Sequence, residues 1–203
     1  MRKQVLLLFI MLLPIWAAAQ DDHVITDPHY RIKKTARCPK VLIDLSTGYN
    51  NNGGILGVGA DCHFIKDMSI HGGLGTSTWG AKFYGGFKVH MRPCHVGWAF
   101  GGGLTYNTGI EQMTMTLPTV QGRDESINLR YLPQTNIFVA GYRSWYVGRN
   151  RNRMYLQLGY SVPTTTKKYE QLSGTTISKE AMRTLKGISP GGIIVGLGFS
   201  LGV

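Results

Sequence analysis

The stretch that most constrains the fold is the thirteen residues from 191 to 203, Gly-Gly-Ile-Ile-Val-Gly-Leu-Gly-Phe-Ser-Leu-Gly-Val. At period two, one face reads Ile193, Val195, Leu197, Phe199, Leu201 and Val203. The other reads Gly192, Ile194, Gly196, Gly198, Ser200 and Gly202. Strict alternation of this kind predicts a strand rather than a helix. The second face is too small and too uncharged to meet water in a soluble protein. It suits the crowded inside of a small barrel whose apolar face turns to lipid. The chain stops where this strand stops, which fits a closing strand.

The N-terminus predicts export. Arg2 and Lys3 precede an apolar run over 5–18, and Ala17-Ala18-Ala19 supplies small residues for cleavage before Gln20. Residues 1–19 therefore read as a signal peptide. No cysteine stands at the cleavage point, which argues against a lipoprotein. Loss of Arg2 and Lys3 lowers the formal charge from +11 to +9. Charged residues are only 16% of the chain, below the roughly 25% of soluble domains. The 27 glycines, 10 tyrosines and 4 tryptophans agree with a barrel facing lipid outside and packing side chains inside. The positive balance raises nucleic acid as a partner, but no motif supports it. Anionic phosphates of outer-membrane lipid and lipopolysaccharide are the expected counterpart.

Residues 20–40 are polar and without period, and read as a periplasmic lead-in. His23 and His29 there match no metal-ligand spacing, so neither a metal nor a cofactor is expected. From residue 41 the alternation predicts an eight-stranded antiparallel up-and-down transmembrane β-barrel over 41–203. Its first five strands start near Val41, Gly54, Met68, Ala81 and Val96. A sixth lies within 134–147, with Thr135, Ile137, Val139 and Gly141 outward and the register beyond Tyr142 open. The seventh runs from Met154 and the eighth from Gly191. Strands of about nine to twelve residues match the roughly 9–11 that a tilted strand needs to cross a bilayer. Two long loops interrupt the pattern. Within 107–130, Met113, Met115 and Leu117 alternate weakly with Thr114 and Thr116 and could extend a hairpin beyond the membrane. Within 163–190, Ser178–Lys186 reads as a short helix. Ser178 would be its N-cap, Gly187 its stop, and Ile177 a staple onto Met182.

With both termini periplasmic, three short connections fall on the periplasmic side, and both long loops fall outside, the usual asymmetry of outer-membrane barrels. Aromatic side chains gather at strand ends. Tyr49, Trp79, Tyr106 and Tyr160 are expected at the outer rim, and Phe64, Trp98 and Trp145 at the inner one, as two girdles. The inward positions carry a polar set: Asp44, Asp61, His63, His71, Lys82, Tyr84, Lys88 and His90. Eight strands enclose only enough room for side chains, so this set is expected to fill the lumen.

On the glycine-alternating strands Gly54–Phe64, Val96–Tyr106 and Gly191–Val203, the mature chain resembles the small eight-stranded outer-membrane barrels, in a form seen in Bacteroidota. Val203 departs from the family's usual terminal aromatic; Phe199 is the nearest. The resemblance implies a Gram-negative outer-membrane location and insertion by the barrel-assembly machinery. It leaves the task and the oligomeric state open, because one fold serves many jobs. The leading expectation is a structural or surface-interaction barrel without catalysis. A lipid-modifying enzyme is the alternative: Asp61, His63 and Ser69 could be drawn as a triad, although no G-x-S-x-G stretch is present. A soluble ligand-binding barrel is the third reading, opposed by the uncharged Gly97-Ala99-Gly101-Gly103 face. Cys38 and Cys94 fall near one rim, where an oxidising compartment permits a disulfide. Cys62 points to the outer face. A Cys38–Cys94 bridge and three free thiols both remain open.

Overall fold

A computed structural model of the chain describes residues 39–65, 67–91, 97–120, 124–147, 152–174 and 177–202. The expected signal peptide over 1–19, almost all of the expected lead-in, Cys38 and Cys94 lie outside these residues, as does the question of the cysteines' pairing. The alternation seen in the sequence is realised as β1 (Val41–Tyr49), β2 (Leu56–Ile65), β3 (Met68–Ser77), β4 (Gly80–His90) and β5 (Trp98–Asn107). A hairpin of β6 (Ile110–Pro118) and β7 (Asp124–Tyr131) follows. Then come β8 (Gln134–Tyr146), β9 (Arg153–Pro163), β10 (Tyr169–Ser173), helix α1 (Lys179–Ile188) and β11 (Gly192–Gly202).

Eight of these strands form a closed antiparallel barrel in the order β1-β11-β9-β8-β5-β4-β3-β2. Closure is made by β11 against β1, in register from Leu42↔Gly202 to Tyr49↔Val195. A closed barrel has no edge strand with unpaired backbone groups. The eight strands and their faces agree with the sequence reading. On β8, Ile137 and Val139 are outward, and Phe138, Ala140 and Tyr142 are buried inside, which fixes the register left open beyond Tyr142.

Glycine on the inner face makes room for tyrosine rings. A Cβ on Gly73 would lie 2.8 Å from Tyr84 Cε1, and one on Gly198 would run into the Tyr155 ring. The small face of β11 therefore serves packing: Tyr155 crosses to fill the space that Gly198 leaves.

The two long loops do not stay irregular. β6, β7 and β10 form a separate three-stranded sheet in the order β10-β7-β6. The weak alternation at Met113, Met115 and Leu117 belongs to it, and β10 had no counterpart in the sequence reading. Helix α1 closes over this sheet. Ser178 is its N-cap and accepts from the Ala181 amide, as expected. Two details differ. The helix runs through Gly187 to Ile188 and ends at an extended Ser189, because Pro190 disfavours helical geometry in the residue before it. Ile177 is buried in one cluster with Ala181 and Leu185, whereas Met182 is exposed, so the expected staple partner faces away.

This cap is anchored by Trp79, and here the expected girdle needs correction. The sequence places Trp79 at the outer rim, but it is fully buried. Its ring stacks on Tyr131, with centroids 3.8 Å apart and planes 5° from parallel. Its Nε1 donates to the Leu132 carbonyl at 3.0 Å. Leu117, Ile127, Leu129, Ile177, Ala181 and Leu185 complete the cluster. Trp79 sits in the tight β3–β4 turn, where a neighbouring loop can cover it; alternation could not reveal that. Burial also pushes the Tyr131 phenol above its ordinary value of 10.0. Trp79→Ala should cost about 3–5 kcal/mol of packing, borne mainly by the cap. Limited proteolysis should then cut within 108–133 and 164–191 at lower protease concentration, while the barrel strands stay protected.

Candidate functional site

The inside of the barrel is polar, and its centre is Lys88 on β4. Its Nζ lies 2.8 Å from Asp61 Oδ2 and 3.9 Å from Asp44 Oδ2, from β2 and β1. The same ammonium sits 4.7 Å from the Tyr142 ring centroid and 5.7 Å from that of Tyr155. One buried cation is thus held by two carboxylates and two aromatic faces. Isolated, any of these charges would be expensive to bury; together they offset one another.

A second cation, Lys82, holds the turn between β1 and β2. Its Nζ donates to the Asn51 carbonyl at 2.7 Å and to the Asn50 carbonyl at 3.3 Å. That turn folds into the barrel mouth. Asn51 and Asn52 are buried, and Asn52 Nδ2 donates to the Tyr142 hydroxyl at 3.1 Å. Asn50 takes the left-handed conformation at φ 49°, which asparagine tolerates better than most residues. The turn is therefore a plug at the mouth away from the N-terminal end of β1. The space left between it and Lys88 is about 10 Å³, bordered by Asp44, His71, Tyr84, Tyr155 and Gln157. That is room for roughly one water molecule.

Toward the other mouth lie the histidines. The His63 and His90 rings are 4.8 Å apart, centroid to centroid. Ser69 Oγ is 2.9 Å from His90 Nε2. His71 is deeper, edge-on to Phe138 and Tyr142. All eight residues assigned to the lumen from sequence point inward; Asp44, Asp61, His71, Lys82 and Lys88 are buried, and His63, Tyr84 and His90 are half-buried. The Asp61, His63 and Ser69 triad is not assembled as drawn. Ser69 bonds to His90 and lies beside Asp61, Asp61 is engaged by Lys88, and His63 Nδ1 has no hydrogen-bond partner.

Several contributors stand outside the expected polar set. Arg153, Tyr142, Tyr155 and Gln157 are buried on the inner face, and Asn51 and Asn52 join them from the turn. Alternation along the seventh strand already reads Tyr155 and Gln157 as inward, and both are buried. Arg153 looked like the last residue of a basic turn, and nothing local distinguishes a plug from an ordinary Asn-Gly hairpin.

The outer surface is the inverse of the interior. Large apolar side chains are exposed on every barrel strand, among them Ile43, Val58, Leu74, Phe87, Leu104, Val139, Leu158 and Leu197. Tyr49, Phe64, Tyr106, Trp145 and Tyr160 are exposed toward the strand ends, and Trp98 is half-buried beside Phe100 with Arg143 5.5 Å from its centroid. Cys62 is an exposed free thiol on this face, as its place in β2 indicated. No protein-family model matches the chain, and comparison with curated proteins and with solved structures gave no match.

Proposed function

We propose that this is an integral outer-membrane β-barrel protein of a Gram-negative bacterium, with a lumen filled by side chains and a structural or surface-interaction role. The observation that carries the reading is the inverted distribution of polarity. A soluble barrel places charge outside and apolar residues inside. Here Asp44, Asp61, Lys82 and Lys88 are buried, while apolar side chains are exposed around the whole circumference. An exposed apolar surface of that extent marks contact with lipid or with a partner, and its continuity around a closed barrel favours lipid. The same inversion opposes a soluble barrel that carries an apolar ligand inside.

In this orientation the β6–β7–β10 sheet and α1 stand on the cell exterior, and the short β2–β3 connection faces the periplasm. The capped mouth then presents a folded surface rather than a pore. Lys179 and Arg183, exposed on α1 on this side, suit the phosphates of lipopolysaccharide. The barrel-assembly machinery would insert the chain. Cell fractionation should place the protein in the outer membrane, resistant to alkaline extraction, with faster gel migration before boiling than after. Recovery in the soluble periplasmic fraction would remove the reading. Because Lys88, Tyr142, Tyr155 and the Asn51–Asn52 turn fill the bore, planar bilayers containing the protein should show no steady single-channel current. Large, stable currents would contradict the filled lumen.

A further inference from the structure

We infer that Asp61, His63 and His90 form a binding site for a divalent first-row transition metal ion, of the Zn²⁺ type, inside the barrel mouth on the side where β1 begins. One donor atom from each of the three residues lies within 4.8 Å of the other two. The barrel brings them together: Asp61 and His63 share the inner face of β2, and His90 ends β4, two strands away. Ser69 of β3 lies between them in the register, pairing with both His63 and Lys88.

Two further observations point to a ligand. His63 Nδ1 and Asp61 Oδ1 are both buried atoms with no hydrogen-bond partner. A buried polar atom left unpaired is costly, so two of them in one cluster call for an occupant. The surroundings also resemble a metal site's outer shell. Lys88 occupies only Oδ2 of Asp61, which leaves Oδ1 as a single-oxygen ligand. The Ser69 hydroxyl, 2.9 Å from His90 Nε2, can orient that ring.

Two imidazoles and one carboxylate with an open position form a donor set suited to Zn²⁺ or Fe²⁺ rather than Ca²⁺ or Mg²⁺. Tetrahedral donors about 2.0–2.1 Å from the metal are roughly 3.3 Å from one another, so donors now up to 4.8 Å apart must draw in by side-chain rotation on binding. Charge then defines the fourth ligand. Lys88 and the buried Arg153 already balance Asp44 and Asp61, so a divalent ion adds net positive charge. The position facing the mouth therefore favours an anion, such as hydroxide or a small carboxylate.

The test is equilibrium titration of the chelator-stripped full chain in detergent with Zn²⁺ alone. Binding of one ion per chain at this site is expected, weakened at least about 30-fold in His63→Gln and in His90→Gln, since even outer-shell partners are worth about 10–100-fold. Cys62→Ser should leave the affinity unchanged, because that thiol faces outward. Heat-dependent gel migration establishes that each variant is folded. Should the histidine variants not fold, the spectrum of Cu²⁺ bound to the wild-type chain decides instead, with hyperfine coupling from two nitrogens expected. Absence of binding, binding unchanged in both folded variants, or coupling from a different nitrogen count would overturn the assignment. His23, His29, His71 and His95 are the remaining histidines, and binding through them would appear as insensitivity to His63→Gln and His90→Gln.

Discussion

Replacing Lys88 with methionine is expected to destabilise the barrel by about 3–5 kcal/mol, the cost of leaving buried carboxylates without their cation. Methionine matches the length of the lysine stem, so the loss isolates charge from volume. Lys88 lies 2.8 Å from Asp61 and 3.9 Å from Asp44, and all three side chains are almost fully enclosed. Removing the cation leaves two like charges facing each other in a low-dielectric space. The companion variant Lys88→Met/Asp44→Asn/Asp61→Asn removes all three charges. It should recover most of the lost stability, because replacing a complete buried charge set with neutral groups is often close to neutral. Urea unfolding of the folded protein in detergent, followed by tryptophan fluorescence, measures both. If the single and triple variants are equally unstable, packing rather than charge holds this centre together.

The second large effect concerns the outward face of β11. Leu197 is the central residue of β11 and pairs with Thr47 on β1 and Leu156 on β9. Leu197→Arg should cost about 2–4 kcal/mol in a bilayer, the penalty for a cation at the membrane midplane. Val195 lies two residues nearer the start of β11 and pairs with Tyr49, the last residue of β1, so arginine there should cost less. Depth dependence separates lipid contact from ordinary strand disruption, which would penalise both positions alike. On the inner face of the same strand, Gly198→Ala should be more harmful than Gly196→Ala. A Cβ at Gly198 collides with the fixed Tyr155 ring, whereas at Gly196 it meets the Asn51 side chain at 3.0 Å, which can shift. Unfolding free energies in lipid vesicles give the order.

The barrel strands were legible because period-two alternation is a local property, and each strand carries enough of it to set its own faces. The inward charges followed from the same alternation. What alternation cannot supply is contact between distant segments. Trp79 read as a rim aromatic because it ends a strand; only the return of Leu132 and Tyr131 from a later loop buries it. The Asn51–Asn52 plug depends on Lys82 and Tyr142, which lie 31 and 90 positions away from their respective partners. β10 is only five residues long and becomes a strand through pairing with β7. The Asp61, His63 and His90 cluster was half visible, since Asp61 and His63 share one face, but the strand pairing was needed to add His90 and to assign Ser69 to it.

The central claim is that the apolar surface of the barrel lies in lipid. It can be measured with nitroxide labels in a cysteine-free protein reconstituted into vesicles, one label at a time. Ile43, Val58, Leu74, Phe87, Leu104, Val139, Leu158 and Leu197 provide one outward position on each of the eight strands. Collision with oxygen, which concentrates in the hydrocarbon, is then compared with collision with a water-soluble nickel chelate. All eight labels should favour oxygen strongly over the chelate. Preferential access to the chelate around the circumference would mean that the barrel stands in water, and the membrane reading would be wrong.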